Sequence, residues 1–340
     1  MAKAPFMTAE ELEGALGVLP RTSYAYTPTP LEECPRLSQA LGGPRILIKR
    51  DDLTGLAFGG NKARHMEFRI GDAMAKGCDM FINTNHWVSN NARFIAAACA
   101  KVGMKYIFVA RGTKERPFKG NLLLQHLLGA TFHYLESYNR DEADAYCRKL
   151  AEKARKDGYT PYVSSDEPLN HYAGTLGYME CALELAQQVQ SQAIPVTKIF
   201  LVAGSSMAGI LLGSKLVGLP WEVTGVWAGD RENVEEQIVS YSRQCQKLLE
   251  LPSSIEPNEA NVLFGYVGEG YTIPTPECIE AIQLVARTEA IILDPNYTGK
   301  AMAAMLDHIR KGMITSRDTV VFIHTGGTPE LFSHADSLVV

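Results

Sequence analysis

The strongest constraint on this chain is an alternation. From about residue 80, short apolar runs take turns with helical patterns. The runs are "MFINT" (80–84), "YIFVA" (106–110), "FHYL" (132–135), "PYVS" (161–164), "IFLVA" (199–203), "VTGVWA" (223–228), "AIIL" (290–293) and "VVFIHT" (320–325). Most lack the polar alternation of a half-exposed strand, so they read as strands buried on both faces. Between them, "NARFIAAACAKVG", "DEADAYCRKLAEKARKDG" and "TGKAMAAMLDHIRKG" carry apolar residues three and four apart and stop at glycine, as helices lying on a sheet do. Strand, helix, strand in repetition predicts an α/β protein with mostly parallel sheets, whose ligands gather beyond the carboxyl ends of the strands. The loops that follow strands are where chemistry is expected.

With 340 residues the chain can bury two cores of ordinary size, and two domains are expected. A net charge of −5 leaves no basic footprint, so nucleic acid is excluded and a small molecule is the expected partner. The stretch "MAKAPFMTAEELEGALGVLP" has no continuous apolar core, and no segment approaches the roughly 20 apolar residues of a membrane span. A cytoplasmic protein without membrane contact is expected. The seven cysteines form no C-x-x-C pair, and the eight histidines show no ligand spacing. Reduced, buried thiols, no metal and an organic cofactor follow. The proline- and acid-containing segment "LELPSSIEPNEANV" (249–262) reads as a surface excursion.

Four constellations could carry the chemistry. In "LVAGSSMAGILLG" a buried strand turns through Gly204, Ser205, Ser206, Met207, Ala208 and Gly209 into a helix. Such a turn aims backbone N–H groups and the positive end of a helix at one point, which suits phosphate, although small residues also make plain tight turns. In "FGGNKARHME" Lys62 follows Gly59, Gly60 and Asn61 at a helix start. Desolvation there would favour the neutral amine that forms a Schiff base, the glycines would admit a flat ring, and Asn61 could donate to a ring oxygen; a surface lysine is the plain alternative. In "WVSNNARF" Ser89, Asn90 and Asn91 open a helix, where they can cap it, hold a substrate carboxylate, or do both. Near the C-terminus stand Tyr271, Tyr297, Thr298 and Thr325, the last ending an apolar strand where a hydroxyl could meet a ring nitrogen. A tyrosine there can act as acid or base, or simply fill a core.

Together these stretches resemble the fold-type II, tryptophan synthase β-like, pyridoxal phosphate enzymes, and among them the group of D-cysteine desulfhydrase, L-cysteate sulfo-lyase and 1-aminocyclopropane-1-carboxylate (ACC) deaminase. The likeness runs from "TPTPLEECPRLSQALGGPRILIKRDDLTGLAFGGNKAR" to "FIHTGGTPELF". It implies that Lys62 is the Schiff-base lysine, that Asn61 and Asn90 lie near the cofactor's ring oxygen, and that residues 204–209 hold its phosphate. Ser89 stands 27 residues after Lys62, and Tyr271 and Tyr297 are 26 apart, as in that family. Thr298 and Thr325 resemble the desulfhydrase side, where ACC deaminases carry glutamate and leucine.

The resemblance implies a β-eliminating, deaminating lyase acting on a small cysteine-like amino acid such as D-cysteine or L-cysteate. Lys62, Ser89, Tyr271 and Tyr297 would be catalytic, and Ser89, Asn90, Asn91 and Trp87 would contact substrate. ACC deamination, β-replacement and a cofactor-binding sensor without turnover are the alternatives. Departures fall at the substrate end: His65 replaces a lysine, Val88 and Asn91 flank Ser89, His86 and Trp87 are bulky, and Asp166 and Glu167 replace a glycine-rich turn. A homodimer is expected, with residues 1–59 and 169–340 forming a large cofactor-binding domain and 60–168 a small substrate-side domain.

Overall fold

The computed structural model describes residues 6–229 and 233–338. Its strands, in chain order, are β1 (Leu31–Glu33), β2 (Arg45–Lys49), β3 (Met80–His86), β4 (Lys105–Arg111), β5 (Thr131–Leu135), β6 (Pro161–Val163), β7 (Lys198–Val202), β8 (Glu222–Val226), β9 (Asn261–Leu263) and β10 (Thr319–Ile323). They form two sheets. One has the order β1-β2-β10-β7-β8-β9 and is parallel except for the β1–β2 pair; the other, β5-β4-β3-β6, is wholly parallel. The expected α/β class with mostly parallel sheets is the one observed.

Burial explains why the strands read as unbroken apolar runs. Successive residues of a strand point to opposite faces. In β10, Val321 and Ile323 join one core, with the helices Pro168–Ser191, Ser205–Leu216 and Val234–Leu249, while Val320 and Phe322 join another, with Pro276–Glu289 and Thr298–Arg310. The four-stranded sheet is covered likewise. Phe81 and Phe108 pack with the helices Lys62–Ala75 and Asn90–Val102, and Ile82 and Val109 pack with Arg140–Lys156.

Two expectations need correction. The run 290–293 forms no strand: Ala290 takes a left-handed conformation (φ 57°) at the end of the helix Pro276–Glu289, after which Ile291 and Leu293 are buried without a ladder partner. Its apolarity reported burial, not pairing. The segment 249–262 is no mere surface excursion, since Leu251, Ser254, Ile255 and Ala260 are buried and Asn261 opens β9. All seven cysteines are free thiols, six of them buried and Cys78 half-buried.

The helix Lys62–Ala75 lies where the two layers meet. It packs on the four-stranded sheet, yet Gly177 of the helix Pro168–Ser191 comes so close to Arg64 that a Cβ there would stand 2.8 Å from the Arg64 Cβ. A second link is the C-terminal helical turn Thr328–His334, whose Glu330 accepts the N–H of Asn121 at 2.9 Å. Burial pushes the Glu330 carboxyl up to about 7; the Asn121 N–H opposes the rise, Asp294 adds to it and Arg93 opposes it. An unfolded glutamate titrates near 4.5. The folded chain therefore holds an extra proton between these values, and this stability is full below 4.5 and lost as pH rises through about 7. Glu330→Gln, which keeps an acceptor for Asn121, is expected to leave stability at pH 5 nearly unchanged and to raise it at pH 8 by about 2–3 kcal/mol. Urea unfolding at the two pH values measures the difference.

Candidate active site

A cavity of about 480 Å³ opens at the carboxyl ends of strands from both sheets: residues 83–86 of β3, Ser164 after β6, Val202 to Ser206 at the end of β7, Trp227 after β8, and Thr325 and Gly326 after β10. That volume suits a cofactor together with a small substrate. Lys62 lines it as the first residue of the helix Lys62–Ala75.

Backbone geometry holds the lysine end of this cavity. The Asn61 N–H donates to the carbonyl of Thr325 at 3.0 Å, and Gly60 bridges to Gly326. A Cβ on Gly326 would stand 2.6 Å from the Gly60 Cα, so glycine is required for the two backbones to meet. The glycines before Lys62 thus serve a chain-to-chain approach, whereas the sequence suggested room for a ring. The Asn61 amide donates to Ser206 Oγ at 3.0 Å, tying the lysine end to the loop after β7.

In that loop Gly204 has φ 143°, a conformation other residues rarely adopt, and open space surrounds the position of a Cβ. The N–H groups of Ser205, Ser206 and Met207 are the first of the helix Ser205–Leu216 and have no acceptor within it. With the hydroxyls of Ser205 and Ser206 on the cavity wall, they make a cradle for an anion. His65 adjoins it, its Nε2 3.4 Å from Ser206 Oγ. Burial, with Lys62, Arg69 and Arg64 nearby, holds the ring well below its usual pKa, so it is neutral.

On the opposite wall Ser89 is the N-cap of the helix Asn90–Val102, yet its side chain makes no capping bond and faces the cavity. Its hydroxyl is available for a ligand. Asn90 Oδ1 accepts from Asn121 at 3.0 Å, which leaves its amide NH2 for the cavity, and Asn91 Oδ1 accepts from Arg69 Nη1 at 2.6 Å. Tyr271 and Tyr297 meet hydroxyl to hydroxyl, with their rings edge-on at 5.5 Å, and both line the cavity with Thr325.

Five anticipated residues are not on its wall. Trp87 packs beside His86 and under the Arg116 guanidinium, 4.0 Å from its ring. The side chains of Met207 and Ala208 are fully buried in the core, and Gly209 abuts Tyr178 and Thr175, so beyond Ser206 the loop could offer only backbone. Thr298 is fully buried, its hydroxyl donating to Asp294 Oδ1 at 2.7 Å and accepting the Asp294 N–H at 2.8 Å. It is a helix-start clasp and does not line the cavity.

Sequence reasoning passed over Arg69, Arg111, Arg140 and His171, which also line the cavity. Among the described residues its wall carries no aspartate or glutamate. Arg69 is buried, and burial lowers its pKa to about 10.

Residues 22–326 match the family described as Pyridoxal-phosphate dependent enzyme. The chain belongs to that family. It is an enzyme, and pyridoxal 5'-phosphate is its cofactor. A Pyrococcus abyssi protein provisionally named 1-aminocyclopropane-1-carboxylate deaminase is 33% identical over 97% of this chain and 98% of its own length. A solved structure described as an ACC deaminase homologue has 32% identity and a TM-score of 0.87, covering 98% of this chain and 99% of its own. Threonine deaminase isoform 2 of Solanum lycopersicum shares the fold at 19% identity, with a TM-score of 0.65 and coverage of 99% and 90%. The residues present fit the cofactor. A lysine stands at one end of the cavity, and the cradle of Gly204, Ser205 and Ser206 offers a phosphate unpaired N–H donors and a space no Cβ fills. Among the described residues no helix is long and apolar enough to cross a membrane, and no side-chain cluster could hold a metal.

Proposed function

We propose that this pyridoxal phosphate enzyme is a β-eliminating lyase that converts a small cysteine-like amino acid, such as D-cysteine or L-cysteate, into ammonia, a 2-oxo acid and the departing β-substituent. The observation that carries this is the meeting of Lys62 and Ser89 on one cavity, the Ser89 hydroxyl not being engaged in capping its helix. When bound, pyridoxal phosphate supplies a carbonyl for the substrate amine and a ring that takes up the electron pair released at the α-carbon. Lys62 would hold the cofactor, yield to the substrate amine, and take the α-proton on Nζ. The Ser89 hydroxyl and the N–H groups of Asn90 and Asn91, at the start of their helix, would hold the α-carboxylate. The Asn90 amide would orient the ring, the N-terminus of the helix Ser205–Leu216 would hold the phosphate, and Thr325 would face the ring nitrogen. Tyr271 and Tyr297 would move the proton that accompanies the departing group.

The same reading takes residues 60–168 as a substrate-side domain, with 1–59 and 169–340 as the cofactor-binding one, and the active form as a cytoplasmic homodimer. The names of the similar proteins favour a second reading, ACC deamination. Thr298 no longer argues against it, because Asp294 holds that side chain away from the cavity. One assay separates the two. Purified enzyme with its cofactor is given D-cysteine, L-cysteine, L-cysteate and ACC in turn. Pyruvate with sulfide or sulfite is expected; 2-oxobutyrate from ACC, with no pyruvate from the others, would overturn the elimination reading.

A further inference from the structure

Arg69 is a buried cation for which no carboxylate among the described residues lines the cavity. It is 8% exposed, lines the cavity, and donates from Nη1 to Asn91 Oδ1, while its Nε is buried without a hydrogen-bond partner. The carboxylates near it on its own helix are engaged elsewhere. Glu67 pairs with Arg21 and accepts the N–H groups of Tyr24 and Ala25; Asp72 pairs with Lys76 and accepts the Tyr162 hydroxyl. The groups that favour the charge of Arg69 are phenols, Tyr162 and Tyr241, and the other titratable groups that sense it are the imidazoles of His65 and His171. Asp144, by contrast, interacts with Arg111 and Arg140. A buried guanidinium without a counter-ion is costly, and a site built this way is one that a ligand completes.

The position of Arg69 says which part of the ligand. Lys62, His65 and Arg69 share one face of the helix Lys62–Ala75 and all line the cavity. Seven residues separate the lysine from the arginine by about 10 Å along the axis, and side chains on a helix lean toward its N-terminus, which draws the guanidinium back toward the lysine. The α-carboxylate already has a place at the start of the helix Asn90–Val102. We infer that Arg69 is a specificity-determining residue that binds a second acidic group, a carboxylate or sulfonate, on the side chain of the substrate. This rests on the amino-acid lyase reading and narrows its substrate to the acidic members of the class.

The test uses the holoenzyme and ligands that lack an amine and cannot react: succinate and 3-sulfopropionate as doubly acidic probes, butyrate as the singly acidic one, titrated calorimetrically. Wild type is expected to bind the doubly acidic probes about thirtyfold or more tighter than butyrate, and Arg69→Gln to bring that ratio to about one. A ratio near one in wild type, or an unchanged ratio in Arg69→Gln, overturns the inference. Without ligand, Arg69→Gln is expected to melt no lower than wild type, because it removes a buried unpaired charge; a large drop would make Arg69 structural and overturn the inference. Should the glutamine variant not fold, Arg69→Lys decides. It keeps the charge and loses the two-pronged donor, so its ratio is expected to fall between the two, and a ratio equal to that of wild type overturns the inference. Product assays on L-cysteate and D-cysteine run beside these titrations keep the two failures apart. Discrimination without β-elimination would sink the lyase reading alone.

Discussion

Lys62→Ala is expected to lower turnover by at least about 10⁴-fold on whichever amino acid the enzyme uses, because in the proposed scheme the variant would lose both the tether for the cofactor and the base for the α-proton. Borohydride reduction followed by peptide mapping should fix the cofactor to the peptide containing Lys62 in the wild type and to no peptide in the variant. Folding should be unaffected, since the lysine occupies the first turn of its helix, on the cavity wall. A variant that turns over at the wild-type rate would refute the role given to Lys62.

The second large effect is on stability. Two residues beyond Lys62, Arg64 is buried and donates to Asp51 from Nε at 2.8 Å and from Nη2 at 2.9 Å, and to Glu184 from Nη1 at 2.9 Å. Asp51, fully buried, also accepts from Tyr178 at 2.7 Å and Thr29 at 2.8 Å, while Lys49 pairs with Glu184. Removing one member of such a cluster strands the others in a medium that cannot solvate them. Arg64→Met is expected to destabilise the protein by about 3–5 kcal/mol in urea unfolding. Burial alone would raise the Asp51 pKa; Arg64 and Lys49, with the Tyr178 hydroxyl, bring it below its usual 3.8. A lowered carboxylate pKa contributes stability above the unfolded value and loses it as pH falls. The difference between wild type and variant should therefore be full at neutral pH and shrink below about pH 4.

How far the sequence reached depends on what kind of signal each feature leaves. The parallel sheets were legible because both faces of the strands are covered, so Val320 through Ile323 are all apolar. That Lys62, the loop at Gly204 and the helix start at Ser89 share one cavity was legible because each follows a strand or a glycine turn and belongs to a resemblance spanning the chain. Thr298 and Trp87 misled for a common reason: spacing gives proximity along a chain, not the direction in which a side chain faces. Thr298 turns to Asp294, and Trp87 to Arg116. Arg69 left no signal at all. In "KARHMEFRIG" the charged residues look like a solvated face, yet Arg64, His65, Glu67 and Arg69 are all buried. Only the packing of that helix between two layers reveals it.

The strand order also constrains how the molecule comes into being. β10, last of the described strands in the chain, lies between β2 and β7, at the middle of its sheet. As the ribosome works from one end, the growing chain holds β2 and β7 long before the strand that must separate and join them. Until residue 323 emerges, both present bare edges, and Thr325, which anchors the loop before Lys62 through its carbonyl, does not yet exist. Nascent chains of this protein are thus obliged to wait, with sticky borders that a neighbouring chain could pair with. Lys62, made early, is among the last parts to be set.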